Sequence, residues 1–229
     1  MKLHPIAALL AASLAGCAAA GPPPAGPLPA EAPADAPRLE AELRAATLPA
    51  GPRHATFAWE LDEAGARFRG RGVARYVAPD RFRLDLFGPR GETYLAAALV
   101  GDEARVPPAV EERFALPSPA LLWAAVGVVR PGTDAVLADA AEQDGALTLR
   151  YRMADGDVLE YRARAGRLES LRRTRGRGVA ESVDLTHGAE GVSRAQYRDW
   201  AAYRSLILTV ETHADAAPFP EATWSPPGT

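Results

Sequence analysis

EQDGALTLRYRMADGDVLEYRAR, residues 142–164, decides the fold. Two Asp-Gly pairs, Asp144-Gly145 and Asp155-Gly156, punctuate two runs of strand length. Asp-Gly between alternating runs is a strong hairpin signal, because glycine supplies the positive φ that a tight hairpin turn needs. Between the pairs, Leu147, Leu149 and Tyr151 fall on one face and Arg150 and Arg152 on the other. A period of two with one apolar face is an antiparallel strand half in contact with a core. The pattern therefore predicts a meander of hairpins, one face apolar and the other charged.

The same style extends in both directions. Arg167 to Thr174, Val179 to Thr186 and Tyr203 to Thr212 read as strands towards the C-terminus, and Ala135 to Glu142 precedes the quoted stretch. In the first half, Phe57, Trp59 and Leu61 alternate with Ala58 and Glu60, and Phe82, Leu84 and Leu86 alternate with Arg83 and Asp85. Gly88-Pro89-Arg90-Gly91 reads as a turn leading into a strand over Tyr94 to Val100. The count comes to ten or eleven strands, in a curved antiparallel sheet.

Two segments break the period. Residues 38–47 carry Leu39 and Leu43 at helical spacing and predict a short amphipathic helix. Pro117-Ser118-Pro119 precedes Ala120-Leu121-Leu122-Trp123-Ala124-Ala125-Val126-Gly127, with Ser118 as N-cap and Pro119 as a favoured first helical residue. That helix is apolar on every side, so it is expected to be buried against the concave face of the sheet. Residues 38–215 suit one domain with a sizeable core, and 216–229 read as a C-terminal tail.

The N-terminus has a different character. Lys2 precedes an apolar run from Ile6 to Leu14, too short to span a bilayer, and Leu14-Ala15-Gly16-Cys17 follows. This tetrapeptide resembles the lipobox of bacterial lipoproteins. The resemblance implies a signal peptide over 1–16, a diacylglyceryl group on Cys17 and acylation by palmitate-type chains. Ala18 stands where aspartate signals inner-membrane retention in Gram-negative lipoproteins, which implies the periplasmic face of the outer membrane. Cys17 is the only cysteine, so no internal disulfide and no thiolate metal site forms. Seven of the twenty residues 18–37 are proline and eight are alanine, a composition that favours extended polyproline geometry. It reads, with Cys17, as a tether reaching roughly 60 Å at full stretch, or as a tail with no spacing role.

The net charge of -3 becomes -4 without residues 1–16, which hold Lys2 and no acid. That is a poor match for a nucleic-acid partner. His4, His54, His187 and His213 are widely separated and form no metal-ligand spacing. No nucleophile elbow, Walker loop or complete dinucleotide-binding glycine motif occurs. Arg69 to Gly72 and Arg175 to Gly178 both read RGRG; anion binding and plain strand or turn positions are the two readings. Asp155 and Asp157 flank a hairpin glycine and read as turn chemistry. The expectation is a protein without catalysis, cofactor or metal.

The order of these elements suggests a family. Pro79 to Gly91 resembles the "RxRLxLxxPLG" region of the outer-membrane lipoprotein receptor LolB, and Pro119 to Gly127 resembles that family's "LxxWxLG" helix. LolA-like carriers share the architecture. The resemblance implies an unclosed β-barrel of about eleven strands with helices over its concave face. Its apolar hollow would hold the acyl chains of a lipoprotein cargo handed over by a periplasmic carrier, with the protein acting as a monomer anchored to membrane lipid. Phe82, Leu84, Leu86, Leu121, Leu122, Trp123 and Val126 are the expected lining. Arg90 stands on the turn where cargo-inserting family members carry a protruding leucine, which makes it the expected membrane-facing residue. Arginine enters hydrocarbon reluctantly. Two other classes stay open: an envelope-assembly lipoprotein that uses the fold as a docking surface, and a hydrolase with a dispersed site.

Overall fold

The computed structural model describes residues 26–111 and 116–228. Twelve strands form one antiparallel sheet: β1 (Arg53–Glu63), β2 (Ala66–Val77), β3 (Arg81–Phe87), β4 (Thr93–Val100), β5 (Glu103–Arg105), β6 (Val136–Gln143), β7 (Ala146–Arg152), β8 (Val158–Arg164), β9 (Arg167–Arg175), β10 (Gly178–Gly188), β11 (Gly191–Asp199) and β12 (Arg204–Asp215). Their spatial order is β5-β4-β3-β2-β1-β12-β11-β10-β9-β8-β7-β6. Chain neighbours pair as hairpins, and the first and last strands close the middle of the sheet from Arg53↔Asp215 to Glu63↔Arg204. The edges β5 and β6 do not pair with each other, so the barrel is unclosed.

Helix α1 (Ala36–Thr47) buries Ala36, Leu39 and Leu43, the stripe that its spacing predicts. The chain between the two edge strands carries α2 (Pro108–Glu111) and α3 (Pro119–Ala125). α3 crosses the sheet over β9, β10 and β11. Its Ala120, Leu121, Trp123 and Ala124 are buried, as an all-apolar helix requires. The core has two lobes. One joins α1 and α3 to the inner face of β6–β11, and the other fills the inner face of β1–β4 around Trp59 and Trp123.

The strand count exceeds the expected ten or eleven for physical reasons. β5 is three residues long. β11 places Val192, Ala195 and Tyr197 inward, a pattern of one large and two small residues interrupted by a bulge opposite Thr186/His187. β2 was obscured by the first RGRG. Gly70 lies opposite Trp59, and Gly72 opposite Phe57. The Trp59 indole crosses the β2 backbone and donates from Nε1 to the carbonyls of Arg71 (3.0 Å) and Phe87 (3.1 Å). A methyl group on Gly70 would overlap the Phe87 carbonyl and come within 2.9 Å of the indole. The glycines are therefore places where a cross-strand aromatic covers bare backbone. Gly70→Ala is expected to lower stability by about 1–3 kcal/mol, read from the midpoint of a denaturant titration, since overpacking in a closed core costs that much. The second RGRG is a hairpin turn, with Gly176 at φ +60.

Both ends of the described chain are tied to the sheet. Trp224, in a short 3-10 turn (Glu221–Trp224), is fully buried beside β3 and β4. Arg83 donates to the Thr223 carbonyl at 2.8 Å and forks onto Asp85, which also receives Arg75. Near the start of the described chain, Arg150 pairs with Asp139 and donates to the Gly26 carbonyl at 2.8 Å.

Asp102, in the β4–β5 turn, holds the chain beyond α3. Its carboxylate accepts from Arg130 and from the Thr133 hydroxyl at 2.8 Å. Burial pushes this carboxyl up, but the hydrogen bonds outweigh burial and hold it below the usual value. A depressed folded-state pKa contributes stability that is present above the unfolded value, about 3.9, and is lost as pH falls through the folded one. Asp102→Asn is expected to be less stable at neutral pH. Its acid unfolding, followed by circular dichroism, should be shallower below about pH 4.

Candidate functional site

A cavity lies between α3 and the middle of the concave face. Its wall is almost all carbon. β1 contributes Ala55 and Phe57, β2 Ala74, and β3 Phe82 and Leu84; β11 contributes Val192, Ala195 and Tyr197. β12 contributes Leu206, Leu208 and Val210, and Leu121, Leu122, Ala125 and Val126 close it from above. The hollow exists because small residues, Ala55, Ala74 and Ala195, face it at positions where the rest of the core carries large ones. Leu206, Leu208 and Val210 are only half-buried, although they sit in the central strand. The cavity that a ligand meets without movement is ≈ 50 Å³. It is below the roughly 150 Å³ of an engineered apolar cavity that admits benzene.

Polar groups sit only at the margins. His213 reaches the cavity, and its Nε2 is 2.7 Å from the Val192 carbonyl oxygen. The Tyr197 hydroxyl donates to the buried Glu181 at 2.6 Å, and Arg173 lies 3.1 Å from the same carboxylate. Burial, and then the Glu181 charge, push the Tyr197 phenol well above its ordinary value, so it stays neutral at any physiological pH. A wall of this kind offers dispersion contact and exclusion of water to an alkyl chain, at about 0.8 kcal/mol per methylene. Among the described residues no group of three His, Cys, Asp or Glu could hold a metal ion. Nor is any helix there long and apolar enough to cross a membrane.

Of the expected lining residues, Phe82, Leu84, Leu121, Leu122 and Val126 lie on the cavity wall. Leu86 and Trp123 do not. Leu86 is packed in the β1–β4 lobe beyond the cavity. Trp123 turns away from the cavity and into that lobe, edge-on to Tyr76 (6.2 Å between centroids) and Phe82 (5.4 Å). The sequence marks β12 as a strand but not as lining, although Leu206, Leu208 and Val210 alternate there; β11 carries no unbroken alternation, because a bulge shifts its register after Val192. Arg90 is exposed on the β3–β4 turn, where its backbone N–H donates to the Glu92 carboxylate at 2.9 Å. Cys17 lies outside the described residues.

No family model matches the sequence, and no curated protein matches it. Solved structures do. A LolA superfamily protein from Nitrosomonas europaea superposes with a TM-score of 0.55 at 12% identity, covering 83% of this chain and 97% of that one. A domain classed with outer membrane lipoprotein-sorting proteins, from Vibrio parahaemolyticus, gives 0.51 at 11% identity over 82% and 94% of the two chains. A DUF1329 family protein from Desulfovibrio piger gives 0.51 at 7% identity over 82% and 97%. The chain therefore has the LolA-like unclosed barrel. The narrower likeness to LolB rests on the sequence motifs alone.

Proposed function

We propose that this protein is a lipid-anchored protein of the bacterial envelope that shelters acyl chains between α3 and the sheet. Cys17 would carry the anchor, and the outer membrane's periplasmic face is its place. The cargo is an acylated lipoprotein delivered by a periplasmic carrier. The observation that carries this reading is the half-exposed Leu206–Leu208–Val210 row at the centre of the concave face. A central strand normally buries its inner face; here α3 covers a wall that it does not fill. The closed space is too small for a whole acyl chain, so α3 must shift for one to enter. The fold neighbours, which include a domain classed with lipoprotein sorting, support the same reading.

The test is titration of the purified protein with a fluorescent palmitate analogue. A saturable blue shift, displaced by a palmitoylated peptide, is expected. Emission that stays water-like at all ratios would sink the proposal. A second reading, an assembly lipoprotein that uses the surface for docking, draws on the smallness of the closed cavity. It predicts no acyl uptake and a stable protein partner recovered from the envelope.

A further inference from the structure

Among the described residues, two polar side chains line the cavity, Tyr197 and His213. The Tyr197 hydroxyl is spent on Glu181. The His213 ring is only half used. Its Nε2 lies 2.7 Å from the Val192 carbonyl oxygen, and a carbonyl only accepts, so Nε2 carries the hydrogen and donates. In a neutral imidazole the other nitrogen is then an acceptor. Nδ1 has no hydrogen-bond partner among the described residues.

His213 faces the cavity because of a bulge. Leu206, Leu208 and Val210 alternate inward, and unbroken alternation would leave His213 on the other face. The β1–β12 register shifts instead: Val210 lies opposite Phe57 and Thr212 opposite Thr56, so Glu211 is an extra residue. That residue reverses the alternation and turns His213 inward, opposite Ala55. A second bulge lies on β11. Arg194 is opposite Thr186 and Val192 opposite His187, so Ser193 is extra and Val192 faces the cavity along with Ala195. Bulges re-aim side chains beside sites, and these two bring His213 to the Val192 carbonyl. The β11–β12 ladder runs from Asp199↔Arg204 to Arg194↔Thr209 and stops there. Past that pair the imidazole, not backbone, links the two strands.

The two ends of the Leu206–Leu208–Val210 row therefore differ. At the Leu206 end the polar groups are paired with one another: Arg204 with Glu63, and Tyr197 and Arg173 with the buried Glu181. A polar head placed there would have to displace an ion pair. At the Val210 end stands one imidazole with an unused acceptor. His213 is half-buried, so a group bonded to it has a way on into solvent.

We propose that His213 reads the linkage of the bound acyl chain: Nδ1 accepts the N–H of an amide-linked chain at the acylated N-terminus of a peptide. The methyl end of the chain then points along Val210, Leu208 and Leu206 towards Tyr197, and the peptide leaves past His213. An ester has no hydrogen to offer this nitrogen, and a carboxylate would set acceptor against acceptor. The proposal rests on the acyl-sheltering reading and adds to it a direction and a chemical preference.

The full chain is assayed at pH 8 by displacing the fluorescent palmitate analogue with N-ethyl lauramide, ethyl laurate or a lauroyl-capped Ser-Gly dipeptide amide. His213→Gln keeps a donor near the place of Nε2, and so the tie to Val192, but removes the Nδ1 acceptor. The ratio of lauramide to laurate affinity should be about fivefold higher in the parent than in His213→Gln, which is what one hydrogen bond supplies. Laurate affinity should be unchanged. Differences in probe hydration cancel in this comparison. His213→Asn, which keeps an acceptor near the place of Nδ1, and His213→Leu, which has none, repeat it without the tie. The capped dipeptide should bind the parent as tightly as the lauramide does. Equal ratios within both pairs overturn the proposal, reduce the ring to a brace between β11 and β12, and leave acyl sheltering intact. Binding of the lauramide but not of the dipeptide overturns it too, since no peptide then fits past His213. A palmitate analogue that never binds removes the acyl-sheltering reading, and this proposal with it.

Discussion

Leu208→Arg is expected to weaken binding of the acyl probe by roughly 100-fold or more, about 2.8 kcal/mol, with little loss of fold. Leu208 is the middle residue of the β12 row on the cavity wall, opposite Trp59 on one side and Ala195 on the other. It is half-buried, so a long side chain has a way out to solvent and the sheet is not forced to bury a charge. The arginine stem would occupy the space that an alkyl chain needs. Its guanidinium would have to lose water whenever a chain entered, a cost of several kcal/mol without a partner. Thr209→Arg is the matched control, because Thr209 is exposed on the other face of the same strand and lies opposite Ala58. It should bind as the parent does. Equal probe affinity in both variants, with circular dichroism unchanged, would place the acyl site elsewhere.

The meander was legible wherever large apolar residues alternate with charged ones. β3, β7 and β8 could be read because Phe82/Leu84/Leu86, Leu149/Tyr151 and Leu159/Tyr161 face one core. Legibility failed where the inward residue is small for a reason only the partner strand supplies. Gly70 and Gly72 are inward positions of β2, filled by the rings of Trp59 and Phe57 from β1, so one strand's pattern is written in another. The two RGRG stretches show the same limit from the other side. They are identical in sequence, yet one is strand under an aromatic ring and the other a turn. The helix Pro119–Ala125 was legible as buried, but not which way it turns: with every side apolar, no face is marked. Trp123 therefore fell among the expected lining residues, while its ring belongs to the other lobe.

The orientation of Trp123 leads to the second large expected effect. α3 spans both lobes: Ala120, Leu121 and Ala124 pack with the β6–β11 lobe, and Trp123 alone among its buried residues packs with the β1–β4 lobe. Trp123 is the pin that holds the helix over the cavity. Trp123→Ala should cost about 3–5 kcal/mol, and for a domain of this size that lowers Tm by roughly 10 °C. Its effect on ligand should have the opposite sign. If α3 must move before a chain enters, apparent affinity is the intrinsic affinity scaled by the fraction of molecules in the open state. Loosening the pin raises that fraction, so probe uptake should become faster and apparent binding tighter, by about 10-fold for each 1.4 kcal/mol that falls on the closed state alone. Trp123→Phe keeps a ring against Tyr76 and Phe82. It gives up no hydrogen bond, since the buried Nε1 has no partner among the described residues, and should stay near the parent in both measurements. Scanning calorimetry with stopped-flow probe uptake separates the alternatives. Stability and affinity falling together would make α3 a wall of the binding site, whereas stability falling as uptake accelerates makes it a cover that must open.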